Sequence, residues 1–212
     1  REILAEDNGM RGFWESIKIM RNNILYSEAS DKSVIAVTSP GPSAGKSLVS
    51  SCLAHVLALD GKNVCLIDCD LRKPNLHKIW GIPREVGFTN VIRGAASLDD
   101  VLIKPEGSNI SILPAGHLPP NPSEFLNSPQ TLQLINYLRE RFDYVIVDTP
   151  PTAGFSDVQV VSRWVDSILL VIALNQTTKP EIQAALRNIR QAGNNLIGAV
   201  YNKINEPHGD YY

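Results

Sequence analysis

A loop of small residues that ends in a lysine and a serine is the segment best suited to phosphate chemistry. It comprises Pro42, Ser43, Ala44, Gly45, Lys46 and Ser47, with Leu48 opening an apolar stretch behind it. Loop N–H groups and the positive end of a helix dipole attract phosphate oxygens. The lysine would neutralise the β- and γ-phosphates, and the serine hydroxyl would ligate Mg²⁺. The pattern predicts a P-loop that binds a nucleotide.

The loop departs from the usual Gly-x4-Gly-Lys-Ser pattern at its start. Pro40 stands where that pattern has glycine, and Gly41 is one position out of register. Gly45, which has no Cβ, still allows the backbone to approach a phosphate closely. The alternative is an ordinary turn between a strand and a helix that happens to carry a lysine.

Three aspartates at the ends of two apolar runs form a second candidate group. Asp68 and Asp70 close one run, and Asp148 closes another. Ligands of open parallel sheets bind outside the carboxyl ends of the strands, where these side chains would lie. A single aspartate at a strand end is more often a helix cap or a turn residue. Three of them beside a P-loop predict a magnesium site with one carboxylate left to act as a base.

The elements that must position these residues alternate between short β-branched runs and longer amphipathic stretches. The predicted strands are Val34–Thr38, Val64–Asp68, Ile110–Leu113, Tyr144–Asp148, Ser167–Ala173 and Leu196–Tyr201. The predicted helices are Phe13–Leu25, Lys46–Leu59, Thr131–Arg141 and Glu181–Gln191, and the predicted loops are Arg72–Gly94 and Pro114–Pro129. Most of the strands are apolar on both faces, which predicts an α/β fold with a mostly parallel sheet and helices on both faces. With no long linker, residues 1–212 are expected to form a single domain.

Composition excludes several classes of protein. The 212 residues carry a net charge of −2, with 43% hydrophobic and 20% charged residues, which is typical of a globular domain and not of a general nucleic-acid binder. The longest apolar run, Ile168–Leu174, is too short to cross a membrane. Cys52, Cys65 and Cys69 are too few for a disulfide framework, so a reducing, cytosolic setting is expected. The start at Arg1 suggests a piece of a longer protein.

Together these motifs resemble those of the bacterial tyrosine kinases, the cytoplasmic kinase domains of polysaccharide co-polymerases. The resemblance extends along nearly the whole chain and is carried by the loop ending at Ser47, by Leu66–Pro74, by Val145–Pro151, by Pro119–Glu124 and by Asn202-Lys203. It implies a P-loop ATPase fold related to the partition and cell-division ATPases. The motifs of eukaryotic protein kinases are absent from the sequence.

By position in these motifs, the resemblance implies a role for each candidate residue. ATP would be bound by residues 42–48 and Asn202; Mg²⁺ by Ser47, Asp70 and Asp148; and Asp68 would be the base that receives the tyrosine proton. The family's loop usually has glycine and glutamate where this chain has Ser43 and Ala44. If position 43 must be left-handed, serine costs about 1 kcal/mol relative to glycine.

The resemblance also implies partners. Glu15, Lys18 and Arg21 follow the spacing of a motif that joins subunits into a homo-oligomeric ring, on a helix expected over residues 10–28. Lys18 replaces an arginine of that motif, and a solvated helix face with an internal Glu15–Lys18 contact is the alternative. Tyr211 and Tyr212 would be acceptors on a mobile tail, residues 204–212, or unremarkable tail residues. A membrane adaptor, or a fused transmembrane co-polymerase segment, would hold the domain at the cytoplasmic face of a bacterial inner membrane.

The predicted function is a Mg·ATP-dependent protein-tyrosine kinase that autophosphorylates between subunits and regulates the synthesis and export of surface polysaccharide. One alternative is a partition-type ATPase switch, but the extra lysine that such proteins carry early in the P-loop is missing between Ser33 and Gly45. The other is a degenerate assembly module without catalysis, in view of Pro40, Ser43 and Ala44.

Overall fold

The computed structural model describes residues 11–26, 34–153, 157–193 and 195–204. The strands are β1 Val34–Thr38, β2 Val64–Asp68, β3 Ile110–Leu113, β4 Tyr144–Asp148, β5 Ser167–Ala173 and β6 Leu196–Asn202. The long helices are α1 Arg11–Leu25, α2 Lys46–Leu59, α7 Pro129–Arg141 and α9 Lys179–Gln191. The short ones are α3 Leu76–Trp80, α4 Phe88–Ile92, α5 Leu98–Val101, α6 Pro122–Leu126 and α8 Asp157–Val161.

The six strands form one sheet in the order β3-β2-β4-β1-β5-β6. Every pairing between neighbouring strands in that order is parallel. Strand β4 therefore lies between β1, which leads into the small-residue loop, and β2, which carries the first aspartates. The β2–β4 register pairs Asp68 directly with Asp148 at the carboxyl edge of the sheet.

Helices cover both faces of the sheet, and each face has its own core. On one face, Ile35 and Val37 of β1 pack with α1, α2 and α3. On the other face, Val34 and Ala36 pack with α7, α8 and α9. The alternation follows from the period of two along a strand, and it explains why β1 is buried over its whole length. Helix α2 is almost completely buried as well, which fixes the helix that begins at Lys46.

The sequence predicted the strands and long helices closely, and it missed the short helices. Strand β6 runs one residue further than predicted, to Asn202, and α7 and α9 each begin two residues earlier. Their starts lie at Ser128 and Thr178, whose hydroxyls accept from backbone N–H groups one turn on, with a proline in the first turn.

The prediction that residues 72–94 and 114–129 are loops was wrong in part. The first range contains α3 and α4, and α6 lies in the second. Each of these helices has five residues, too few for helical periodicity to be visible in a sequence. Helix α1 covers Arg11–Leu25, and residues 10, 27 and 28 of the range expected for it lie outside the described residues. Among the described helices, none is long and apolar enough to cross a membrane.

Candidate active site

The small-residue loop between β1 and α2 has the backbone conformation of a tight phosphate-binding turn. Ser43 has φ 60° and Gly45 has φ 91°, both in the left-handed region. At Gly45 a Cβ atom would lie 2.1 Å from Nδ2 of Asn202, so another residue would displace that side chain and would be strained by the positive φ. At Ser43 the strain expected from the sequence is present, since serine takes a conformation that favours glycine.

Neighbouring segments fix the loop at both ends. The backbone N–H groups of Thr152 and Ala153 donate to the carbonyls of Ser39 and Pro40, at 2.8 and 3.1 Å. Nδ2 of Asn202 donates to the carbonyl of Ala44 at 2.9 Å. Pro40 replaces a glycine of the usual pattern, and the contact it makes here uses its carbonyl, which proline retains. Asn202 therefore packs against the back of the loop.

Lys46 forms a buried ion pair with Asp70. Its Nζ lies 3.2 Å from Oδ2 of Asp70, and the two side chains are only 9% and 5% exposed. The other oxygen of Asp70 accepts from the backbone N–H of Lys73 at 3.0 Å. Because both charges are largely desolvated, each depends on the other, and the pair joins the segment after β2 to the start of α2.

Asp68 and Asp148 lie side by side beneath this pair. The backbone N–H groups of Asn75 and Leu76 donate to Oδ2 of Asp68 at 3.1 and 3.0 Å. The hydroxyl of Ser50 donates to Oδ1 of Asp148 at 3.3 Å. Within the described residues, Oδ1 of Asp68 and Oδ2 of Asp148 are buried without a hydrogen-bond partner. Two carboxylates with an unsatisfied oxygen each are costly unless a ligand or proton joins them.

The pKa values of both carboxyls reflect that cost. Burial raises the pKa of Asp148 to about 6, with the Lys46 ammonium acting in the opposite direction. Burial, followed by the repulsion of Asp148, raises the pKa of Asp68 well above its usual value. Perturbed carboxyls grouped beside an anion-binding loop are typical of a functional site.

The residues predicted to bind metal fit Mg²⁺ only in company with a nucleotide. In the described parts of the chain, no group of three or more His, Cys, Asp or Glu side chains is arranged to hold a metal ion by itself. Mg²⁺ commonly takes one or two protein carboxylates and completes its shell with phosphates and waters. Ser47, Asp70 and Asp148 meet that requirement, and the unpartnered oxygen of Asp148 is suited to a cation or its water.

A cleft of about 580 Å³ opens in front of the loop. Its walls are Pro42, Ser43, Gly45, Lys46, Ser47, Leu48, Asp70, Arg72, Lys73, Pro74, Asn75, Lys78, Pro151 and Ala153. Asp68 and Asp148, with no exposed surface, are not among them, and neither are the predicted nucleotide-binding residues Ala44 and Asn202. Lys78 and Ala153 were not singled out from the sequence, and Lys73, within the Leu66–Pro74 motif, was given no role, because nothing in their spacing showed that they face a ligand.

Arg72 joins three segments at the rim of this cleft. Its Nε lies 2.7 Å from Oδ2 of the buried Asp157 at the start of α8, and its Nη2 donates to the hydroxyl of Ser123 in α6 at 3.3 Å. Ser123 also donates to Asp157. The motifs Leu66–Pro74 and Pro119–Glu124, which are distant in the sequence, are therefore in direct contact through Arg72 and Ser123.

The predicted assembly residues lie on α1, apart from this site. Nζ of Lys18 is 3.5 Å from Oε1 of Glu15. This is the contact expected if the two residues belong to a solvated helix face and not to a subunit interface. Nη1 of Arg21 is 3.5 Å from Asp60 at the end of α2, within the same chain. The predicted acceptors Tyr211 and Tyr212 lie outside the described residues.

Comparison with known proteins agrees with this geometry. A ParA family model, described as "NUBPL iron-transfer P-loop NTPase", matches residues 30–205. That range is well over half of the chain, and it contains the loop and all three aspartates.

Similar proteins extend over nearly the whole chain. The tyrosine-protein kinase ptk of Acinetobacter johnsonii is 34% identical over 210 residues, which are 99% of this chain and 29% of that protein. The putative tyrosine-protein kinase CapB of Staphylococcus aureus is 33% identical over 200 residues, 93% of this chain and 88% of that protein. The solved kinase domain of the Escherichia coli tyrosine kinase ETK is 31% identical with a TM-score of 0.82, covering 94% of this chain and 80% of that one.

The lengths of these relatives differ. The chain spans less than a third of the Acinetobacter protein and most of CapB.

These similarities confirm the family resemblance and the parallel P-loop fold predicted from the sequence. On the combined grounds of the loop, the sheet and these similarities, the chain belongs to the bacterial tyrosine kinases, a family of P-loop NTPases.

Proposed function

We propose that this chain is a protein-tyrosine kinase that transfers the γ-phosphoryl group of Mg·ATP to tyrosine. The observation that carries the proposal is the arrangement beside the P-loop, where Lys46 pairs with Asp70 and the buried Asp68 and Asp148 are adjacent at the carboxyl edge of the sheet. Membership of the bacterial tyrosine kinase family supports it. Acceptor tyrosines at Tyr211 and Tyr212 of a neighbouring subunit remain part of the proposal.

In this reaction the phenolic oxygen of tyrosine forms a bond to the γ-phosphorus as the bond to the ADP oxygen breaks. Most of the rate is expected from alignment and charge neutralisation. Residues 42–48 would hold the phosphates. The Lys46 ammonium would break its ion pair with Asp70 and bind the phosphates instead. Mg²⁺, when bound through Ser47, Asp70 and Asp148, supplies further neutralisation of the phosphate charge.

The tyrosine proton is assigned to Asp68. Its Oδ1 has no partner among the described residues, and its raised pKa makes the ionised form a stronger proton acceptor than an ordinary aspartate. Since Asp70 lines the cleft and Asp68 lies behind it, the acceptor must penetrate past the present wall. Release of Asp70 from Lys46 on nucleotide binding would allow that movement.

The cellular setting is proposed from the family. The domain would lie at the cytoplasmic face of a bacterial inner membrane, assemble into a ring through Glu15, Lys18 and Arg21, and regulate surface-polysaccharide synthesis. Some relatives are long chains and CapB is short, which supports either a fused membrane segment or a separate adaptor. Neither arrangement involves nucleic acid.

The experiment is incubation of the protein with Mg·ATP, followed by mapping of phosphotyrosine by mass spectrometry. We expect phosphate on tyrosine in the wild type and none in Lys46→Met. Lys104→Met, at an exposed lysine outside the cleft, is the matched control and should be labelled normally. In Lys46→Met the buried carboxylate of Asp70 loses its ion-pair partner, which could destabilise the fold. Circular dichroism therefore checks that the variant is folded.

Two other outcomes would reject the kinase, and a third would reject only the role of Lys46. ATP hydrolysis without a modified tyrosine would identify a nucleotide switch. Failure to bind nucleotide would identify an assembly module without catalysis. Labelling that persists in Lys46→Met would contradict the role given to that ammonium.

A further inference from the structure

The outer wall of the cleft carries positive charge that the phosphate chemistry does not use. Arg72, Lys73 and Lys78 all line this wall. Arg72 is neutralised by the buried carboxylate of Asp157. Lys73 and Lys78 are exposed, and no carboxylate among the described residues forms an ion pair with either.

The charges on the cleft wall therefore do not balance. Asp70 is the only carboxylate among the wall residues, and it is already paired with Lys46. A neighbouring histidine responds to the same field, because burial and then the cations Arg84 and Lys78 lower the pKa of His77. Two lysines on a concave surface attract an anionic group and raise its local concentration.

Between these lysines and the loop, the cleft offers apolar surface of the kind that an aromatic ring covers. Pro42 and Leu48 lie on the loop side, Pro74 adjoins Lys73, and Pro151 and Ala153 come from the segment after β4. The ring of a tyrosine can pack against such apolar walls while its hydroxyl hydrogen-bonds to a polar neighbour. The cleft thus combines a place for a phenol with a place for a carboxylate.

The chain itself contains a segment with that combination. Residues 205–212 read Asn-Glu-Pro-His-Gly-Asp-Tyr-Tyr, with two carboxylates, no lysine and no arginine. Asp210 stands directly before Tyr211. The proposed function already takes the tail of a second copy of the chain as the acceptor, and its negative charge is complementary to the lysines of the cleft wall.

We infer that Lys73 and Lys78 form an acceptor subsite, which selects a tyrosine preceded by a carboxylate, as Asp210 precedes Tyr211. This inference rests on the proposed kinase function, since it assigns the substrate class of the same cleft. The two lysines act as specificity residues that bind the acceptor segment. The phosphates of ATP are the competing source of negative charge, and the experiment separates the two.

The test measures binding, so that it does not depend on phosphoryl transfer. A fluorescein-labelled peptide of residues 205–212 is titrated with the full chain at low salt, in the presence of Mg²⁺ and a non-hydrolysable ATP analogue, and followed by anisotropy. The variants are Lys73→Glu/Lys78→Glu and the control Lys104→Glu, an exposed lysine outside the cleft. Each variant carries its own tail unchanged, and thermal melting checks the fold.

The double variant should weaken peptide binding by about tenfold, and the effect should shrink as salt rises. The control should stay within about twofold of the wild type, as expected for a distant exposed charge. A peptide with Asp210→Lys should bind the wild type poorly and regain affinity for the double variant. The affinity for the ATP analogue, measured by its own titration, should fall less in the double variant than the affinity for the peptide.

Equal peptide affinity in the wild type and the double variant would overturn the inference. A loss of affinity for the ATP analogue with unchanged peptide binding would also overturn it, because the lysines would then hold nucleotide phosphates. Phosphotyrosine mapping on the same proteins keeps the two proposals apart. Charge-dependent peptide binding without any labelled tyrosine would support the subsite and reject the kinase.

Discussion

Replacing Asp148 by asparagine should make the protein more stable without nucleotide while removing its activity. Burial raises the pKa of Asp148 from 3.8 to about 6. The difference is about 2 pKa units, and each corresponds to ~1.4 kcal/mol, so the ionised side chain costs about 3 kcal/mol of folding free energy. Asparagine removes the charge and keeps the carbonyl oxygen that accepts from Ser50.

The sign of the pH dependence follows from the same values. A carboxyl with a higher pKa in the folded state holds its proton more tightly there, so stability falls as pH rises from about 4 to about 6. The advantage of Asp148→Asn should therefore be near zero at the lower end and reach about 3 kcal/mol above the upper end. It should disappear when ATP and Mg²⁺ stabilise the wild type alone.

The assay is urea unfolding at pH 4.5 and pH 8 in the presence of EDTA, with the two proteins compared at each pH. Asp99→Asn is the matched control, since Asp99 is 69% exposed and pairs with Arg141 at the surface. It should change stability by less than about 1 kcal/mol at either pH. An Asp148→Asn variant that is no more stable than the wild type at pH 8, or equally stabilised at both pH values, would refute the reasoning.

Three further substitutions probe the loop and α1. Ser43→Gly should stabilise the protein by up to about 1 kcal/mol in thermal or urea unfolding, because serine there has φ 60°; a loss of stability would contradict the strain. Gly45→Ala should cost about 1–3 kcal/mol, because its Cβ would lie 2.1 Å from Asn202 at φ 91°. Added Asn202→Ala should recover only the part due to the clash, and a wild-type melting curve for Gly45→Ala would be inconsistent with this geometry. Arg21→Ala should lower the mass measured by light scattering if Arg21 joins subunits, whereas Asp60→Ala, which removes only the contact within the chain, should not; equal masses for all three proteins would reject the ring contact.

The sequence predicted the parts of the fold that have a clear period. The apolar runs that became β1 to β6 and the amphipathic stretches that became α1, α7 and α9 are long enough to show it. Helices α3, α4 and α6 are not, since five residues make little more than one turn. Their formation depends on contacts such as the Trp80 Nε1–H donation to Ser51, which lies far away in the sequence.

The candidate site was predictable where a motif marked its residues. Asp148 ends β4, Asp70 follows the end of β2, and Lys46 opens the helix after β1, so their proximity follows from the parallel pairing of three neighbouring strands. The depth of Asp68 was not predictable, because it depends on how Asn75 and Leu76 turn back over the carboxylate. Lys73 and Lys78 belong to the cleft for the same reason, since that turn carries them to its outer wall.

The direct pairing of β2 with β4 has a consequence for how the protein matures. Asp68 and Asp148 are adjacent in the sheet although eighty positions separate them along the polypeptide, so no contiguous fragment shorter than that can assemble the centre. We expect this pairing to form after the more local contacts, because the entropic cost of closing the loop precedes the contacts that offset it. A chain that ends before β4 can contain the small-residue loop but lacks Asp148. We therefore expect no phosphoryl transfer until β4 has joined the sheet.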